Sequence, residues 1–122
     1  MKSTLAGSLG KLCLVGLGAF AATGCGGESG QSTGSSCPTS ETLTYENFGK
    51  EFMATNCLAC HGAAGPESPK FDTVQQIRSN VTAIDQQAAA GPNAVNTLMP
   101  ESASVPEADR RKLGEWLACG AP

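Results

Sequence analysis

Six cysteines, at positions 13, 25, 37, 57, 60 and 119 of a 122-residue chain, restrict the fold more than any other feature. The length allows one domain, and a domain this small buries too little apolar surface to do without a staple or a cofactor. A formal net charge of -3 argues against nucleic-acid binding, because phosphate contacts need a basic face. Beyond the first two dozen residues no stretch is apolar enough to span a bilayer.

The first cysteines belong to an address. Lys2 and Lys11 flank a start without acidic residues, and residues 12–23 are uncharged, largely apolar and end among small side chains. That layout is an export signal, too short for a membrane span, and Cys13 leaves with it. Two cleavage sites compete. Ala22-Thr23-Gly24-Cys25 resembles the lipobox of bacterial lipoproteins, with Ala22 where leucine is usual, and leaves Cys25 as an acylated first residue. Ala19-Phe20-Ala21 is a small-x-small site for ordinary signal peptidase and leaves Cys25 as a free thiol. Residues 26–36 hold four glycines and four serines, the composition of a flexible tether, which favours the lipid. The expected organisation is a lipoprotein-type signal peptide over 1–24, a tether over 25–36 starting at lipidated Cys25, and a domain over 37–122. Cleavage removes two lysines and leaves six basic against eleven acidic side chains, a balance of -5. The expected place is the periplasmic side of a bacterial membrane, held there by lipid.

Cys57-Leu58-Ala59-Cys60-His61 is a CxxCH motif, the pattern of c-type haem attachment. Two thiols add across the two vinyl groups of haem, and the spacing lets one helical turn present both sulfurs to one porphyrin edge. The adjoining histidine then faces the iron. A thioredoxin-type CxxC needs a preceding strand and a βαβ pattern, and neither is visible. A zinc site needs four ligands, yet His61 is the only histidine. A Cys57–Cys60 disulfide leaves His61 without a reason. Two cysteines remain, Cys37 and Cys119, for which export permits a disulfide; the alternative is two buried free thiols.

The rest of the domain reads as helical. A helix starts at Thr44 and ends near Asn56, with Glu46 favoured near its start by the helix dipole. Tyr45, Phe48 and Phe52 share one face, and Gly49 on its edge permits close helix approach. Residues 62–69 form a loop rich in proline and glycine. Asp72 is the expected cap of the next helix, whose Val74, Ile77, Val81 and Ile84 form one core stripe. Arg78 lies off that stripe, as a solvated residue or a haem-propionate partner. Residues 88–96 are a loop. Pro106 opens a last helix through Ala118, with Leu113, Trp116 and Leu117 inward, Arg110, Arg111 and Lys112 in water, and Gly120 as the stop. No region alternates as a strand does, so the fold class is all-α.

Over most of residues 44–120 the chain resembles a small class I c-type cytochrome, a helical domain wrapped around one covalent haem. In that family the helix leading into CxxCH crosses the C-terminal helix at a glycine eight residues before the first haem cysteine, and here that residue is Gly49. Phe52 and Met53 take the apolar positions after it, and Leu113, Trp116 and Leu117 match the partner helix. The family's proline carbonyl, which holds the other ring nitrogen of the proximal histidine, is matched by Gly65-Pro66, with Pro69 as a second candidate. The distal ligand is implied to be Met99, in the loop before the last helix and followed by Pro100. Met1 leaves with the signal and Met53 lies on the first helix. Only 38 positions separate His61 from Met99, so helices of larger relatives are absent and a haem edge is expected to be bare. The ending with Cys119 is not general to the family.

The resemblance implies an electron carrier rather than an enzyme: one haem c with His61 and Met99 on the iron leaves no vacancy for substrate. Partners are expected to be redox proteins of the envelope with basic docking patches, meeting a monomer tethered to the membrane, with no nucleic acid involved. The alternative is a haem-based sensor or gas-binding module in which Met99 is displaced. A peroxidase fits less well, because the distal polar groups it needs are not evident.

Overall fold

The computed structural model of the protein describes residues 29–40 and 43–122. The export signal, both cleavage sites, Cys13 and Cys25 lie outside the described residues.

Thr44 starts the first helix with a reciprocal cap. Its hydroxyl accepts the Asn47 N–H at 3.2 Å, and Asn47 Oδ1 accepts the Thr44 N–H at 2.7 Å. The first turn, Tyr45–Gly49, is π-helical, because the N–H groups of Gly49 and Lys50 reach back to the carbonyls of Thr44 and Tyr45. It runs directly into α1 (Lys50–Asn56). A kink at Cys57 separates α1 from the single turn of α2 (Leu58–His61). Then come α3 (Val74–Arg78), α4 (Val81–Ala88) and α5 (Glu107–Ala118). Among the described residues there is no strand, only an antiparallel bridge between Ala90 and Val95, so the all-α expectation holds.

Two details differ from expectation. The cap of α3 is Thr73, not Asp72: Thr73 and Gln76 form a second reciprocal cap, while Asp72 Oδ1 accepts the Ala63 N–H at 2.8 Å. The stripe from Val74 to Ile84 is also broken in two. Ser79 Oγ donates back to the Gln75 carbonyl and Asn80 Nδ2 to the Gln76 carbonyl, and such side-chain bonds compete with helix continuation. Both halves still face inward, with Ile77 and Ile84 buried and Val74 and Val81 half-buried.

Trp116 is the centre of the core, with no exposed surface. A Cβ placed on Gly49 would clash with the Trp116 indole, far inside van der Waals contact of Cζ2 and Cη2, so the missing side chain is what lets the two segments touch. Phe48 meets the indole edge-on at 6.0 Å between centroids, and Phe52 sits 5.4 Å from Phe48. Phe52, Met53, Phe71, Ile77, Leu113 and Leu117 belong to the same buried cluster. The C-terminus closes the same corner. Gly120 has φ +85 and Ala121 φ 51, and their N–H groups return to the carbonyls of Leu117 and Trp116, a Schellman cap. The Pro122 carbonyl then accepts the Tyr45 N–H at 2.6 Å, while Arg78 Nε donates to the Ala121 carbonyl at 3.0 Å. Arg78 is therefore a tie to the C-terminal turn.

Cys37 and Cys119 form a disulfide, with Cα atoms 4.7 Å apart across a sequence separation of 82. The domain does not begin there, however. The described part of the expected tether, residues 29–36, is docked as a strap over α4 and the loop after it. Thr33 is 1% exposed; its N–H and hydroxyl both donate to the Asp85 carboxylate, at 2.9 and 2.5 Å. Gln31 exchanges two hydrogen bonds with Asn96, and Ser35 Oγ donates to the Ala90 carbonyl. A glycine- and serine-rich segment has little apolar surface to bury, but its backbone and hydroxyls can satisfy buried polar groups, and that is what holds it.

Gly49→Val is expected to lower stability by about 1–3 kcal/mol, read as a lower urea midpoint, because the indole cannot move without opening the core. The Cys37→Ser, Cys119→Ser double variant is expected to lose about 4–5 kcal/mol by the chain-entropy relation, read in the same titration.

Candidate haem-attachment site

The kink at Cys57 creates the site. Cys57 leaves α1 with φ -124 and ψ -40, so the turn that follows starts on a new axis. Its carbonyl accepts the N–H groups of Cys60 at 3.2 Å and His61 at 2.8 Å. One turn thus carries Cys57, Cys60 and His61, and residues three and four apart on a turn share a side. Both cysteines are free thiols, Cys60 exposed and Cys57 half-buried. Burial pushes the Cys57 thiol up to about 11, so it stays protonated at neutral pH. Redox-active dithiols show the opposite behaviour, with a thiolate favoured by nearby positive charge. No strand precedes the motif among the described residues either.

His61 is held in one tautomer. Its Nδ1 lies 2.8 Å from the carbonyl of Pro69, and a carbonyl only accepts, so Nδ1 carries a proton, which in the neutral ring leaves the lone pair on Nε2. The partner is Pro69 and not Pro66, which is exposed in the loop before it. The reason is loop geometry. Glu67 donates its N–H to the Cys60 carbonyl and Phe71 donates its N–H to the His61 carbonyl, which folds residues 67–71 back over the turn. Phe71 then lies against the imidazole, 4.9 Å between centroids and tilted by 31°. Lys70 Nζ stitches the same loop, donating to the carbonyls of Gly62 at 3.0 Å and Gly65 at 2.6 Å.

Met99 lies on the other long loop, half-buried against the core cluster that also meets Cys57 and Leu58. Its N–H donates to the Gln87 carbonyl at 2.9 Å, and its carbonyl accepts Arg110 Nη1 at 2.7 Å. Arg110 is not in water as expected. It is 3% exposed, and desolvation lowers its pKa. Arg111 and Lys112 are exposed and pair with Glu107 and Asp109 on their own helix. Arg110 precedes Leu113 by three and Leu117 by seven, so the helical period itself placed it on the inward stripe. For Phe71 and Lys70 no local sequence signal existed.

Two depressions, of about 170 and 380 Å³, lie along the strap, the first lined by Thr33, Asp85 and Gly114 and the second by Gln31, Val95 and Leu98. Neither is lined by Cys57, Cys60, His61 or Met99. Among the described residues no three His, Cys, Asp or Glu side chains group as a metal site. The donor set nonetheless suits a haem: the porphyrin supplies four nitrogens to its own iron, so the chain need provide only two thiols, an imidazole with a free Nε2 and one further axial donor.

Lys70→Met is expected to cost about 1–3 kcal/mol, because the carbonyls of Gly62 and Gly65 lose a charged donor. Thermal melts of the wild type, Lys70→Met and Lys70→Arg check it, with the arginine variant recovering part of the loss.

Compared with known protein families, curated proteins and solved structures, the chain matches none.

Proposed function

We propose that the protein is a one-electron carrier, a small class I c-type cytochrome held to a membrane of the bacterial cell envelope. The observation that carries this reading is the fixed tautomer of His61 on the turn that presents both free thiols. Cys57 and Cys60 would hold the haem through thioether links, and His61 Nε2 and the Met99 thioether would ligate its iron. When bound, the haem supplies a single-electron couple, which thioether ligation biases toward the ferrous form. The chain's own residues do the orienting. The Pro69 carbonyl fixes the imidazole plane and raises its basicity, and Phe71 supports one ring face. The Gly49–Trp116 contact is the helix crossing that the family resemblance implies, and it supports this reading.

Export is supported by the Cys37–Cys119 disulfide, since such links persist in oxidising compartments. No helix among the described residues is long and apolar enough to cross a membrane. The anchor in this reading is an acylated Cys25, on the lipobox-like residues 22–25. Because the strap is packed against the domain from Gly30 onward, the five peptide units from Cys25 to Gly30 reach at most ~18 Å. A lipid there holds the domain close to the bilayer instead of letting it swing. The acidic balance favours partners with basic docking patches and an exchange rate that falls with salt.

The test is an optical spectrum of the exported protein, oxidised, then reduced, then given carbon monoxide. Sharp reduced haem-c bands that carbon monoxide does not move are expected. In Met99→Ala the expected result is carbon monoxide uptake and a lower reduction potential. Fast uptake by the wild type would instead favour the sensor with a displaceable Met99, and a wild type without haem would end the proposal.

A further inference from the structure

One charged group in the core has no part in the scheme above. The Arg110 guanidinium is buried, and its hydrogen bonds go to backbone carbonyls: Val105 from Nε at 3.2 Å, and Ala88, Asn96 and Met99 from Nη1 at 2.6, 2.9 and 2.7 Å. The ion pairs among the described residues involve Lys50, Arg111 and Lys112, and none involves Arg110. A cation held by carbonyl dipoles alone gives up its hydration without a counter-ion, which is costly. Leucine at this helical position would bury at no such cost. The placement of the four carbonyls says what the charge does.

Ala88 is the last residue of α4, Val105 lies just before α5, and Asn96 and Met99 sit on the irregular loop between them. One side chain therefore ties both ends and the interior of the loop that carries Met99. A second peg acts on the same residue, since the Met99 N–H is bonded to the Gln87 carbonyl. The Met99 peptide is thus clamped on its nitrogen and on its oxygen, and the origin of its side chain is fixed relative to α4 and α5. Asn96 is locked from the other side, by Gln31 of the strap and by the Asp85 carbonyl of α4.

We propose that Arg110 is a positioning residue for the distal ligand: its guanidinium, held by four loop and helix-end carbonyls, presets Met99 for the iron. This rests on Met99 being that ligand. A neutral thioether binds iron weakly, so its occupancy depends on how little the loop must be ordered when the bond forms. With Arg110 in place that ordering is already done. Without it the four carbonyls of the loop and its flanks lose this donor, and the sulfur competes with external ligands from a mobile position.

The test uses haem-loaded wild type, Arg110→Gln, Arg110→Lys and, as a surface control, Arg111→Gln. Each is read by its reduced haem spectrum, by the sulfur-to-iron charge-transfer band of the ferric form and by the rate of carbon monoxide uptake by the ferrous form. Arg110→Gln is expected to keep covalent haem but lose the sulfur band and take up carbon monoxide at least tenfold faster. Arg110→Lys keeps the charge but not the planar fork, so it is expected to show the same losses in weaker form; Arg111→Gln is expected to match wild type. If Arg110→Gln does not accumulate, Arg110→Lys decides alone. A sulfur band and uptake rate unchanged in the variant that folds overturn the positioning role and leave the carrier standing. A wild type that holds haem but has no sulfur band overturns Met99 ligation, and this inference with it.

Discussion

Everything in this small domain hangs on the burial of one indole. Trp116 brings α5 onto the π-helical turn before α1, and the bare Gly49 backbone is what makes room for it. The contact joins the two ends of the domain, so the residues between must loop out and return. The C-terminal turn reinforces it with polar bonds, the Pro122 carbonyl accepting from both the Tyr45 N–H and the indole Nε1. The Cys37–Cys119 disulfide adds a covalent link at the same end of α5. With α1 held this way, the kink at Cys57 and the turn of α2 project from a rigid base.

The long loops between the helices show a common device. Each carries one proposed axial ligand or its support, and each has its carbonyls gathered by a single cation: Lys70 for the loop after the CxxCH turn, Arg110 for the loop around Met99. Irregular backbone in a small domain leaves carbonyls without ladder or helix partners, and those that lose water need donors from elsewhere. A cationic side chain provides several donors from one point. The result is rigidity in segments that helix propensity alone could not order.

Much of this architecture was legible in the chain. The helical class and the stop at Gly120 follow from local rules, the facing of Gly49 and Trp116 was implied by the family resemblance, and the pairing of Cys37 with Cys119 was one of two readings of the cysteines left over after the motif. The candidate thiols and the single histidine were legible too, since their spacing fits one turn. The docked strap was not, because a glycine- and serine-rich segment shows no hydropathy signal even when it is bound by hydrogen bonds. Nor was the break after Arg78, where Ser79 and Asn80 back-bond to the preceding turn.

By itself, then, the sequence determined the helical class, most of the apolar faces and which side chains are candidates for the chemistry, because these depend on neighbours within a few positions. Only the tertiary structure decided that Pro69 rather than Pro66 meets His61, that Arg110 lies inside beneath the Met99 loop, and that Thr33 seals Asp85. Each of those bonds joins a side chain to a group that no local rule identifies, often a backbone carbonyl that looks the same at every position in the sequence. Its availability depends on which loop folds back and which water is expelled. The partner is settled by the packing that Trp116 organises, not by the letters beside it.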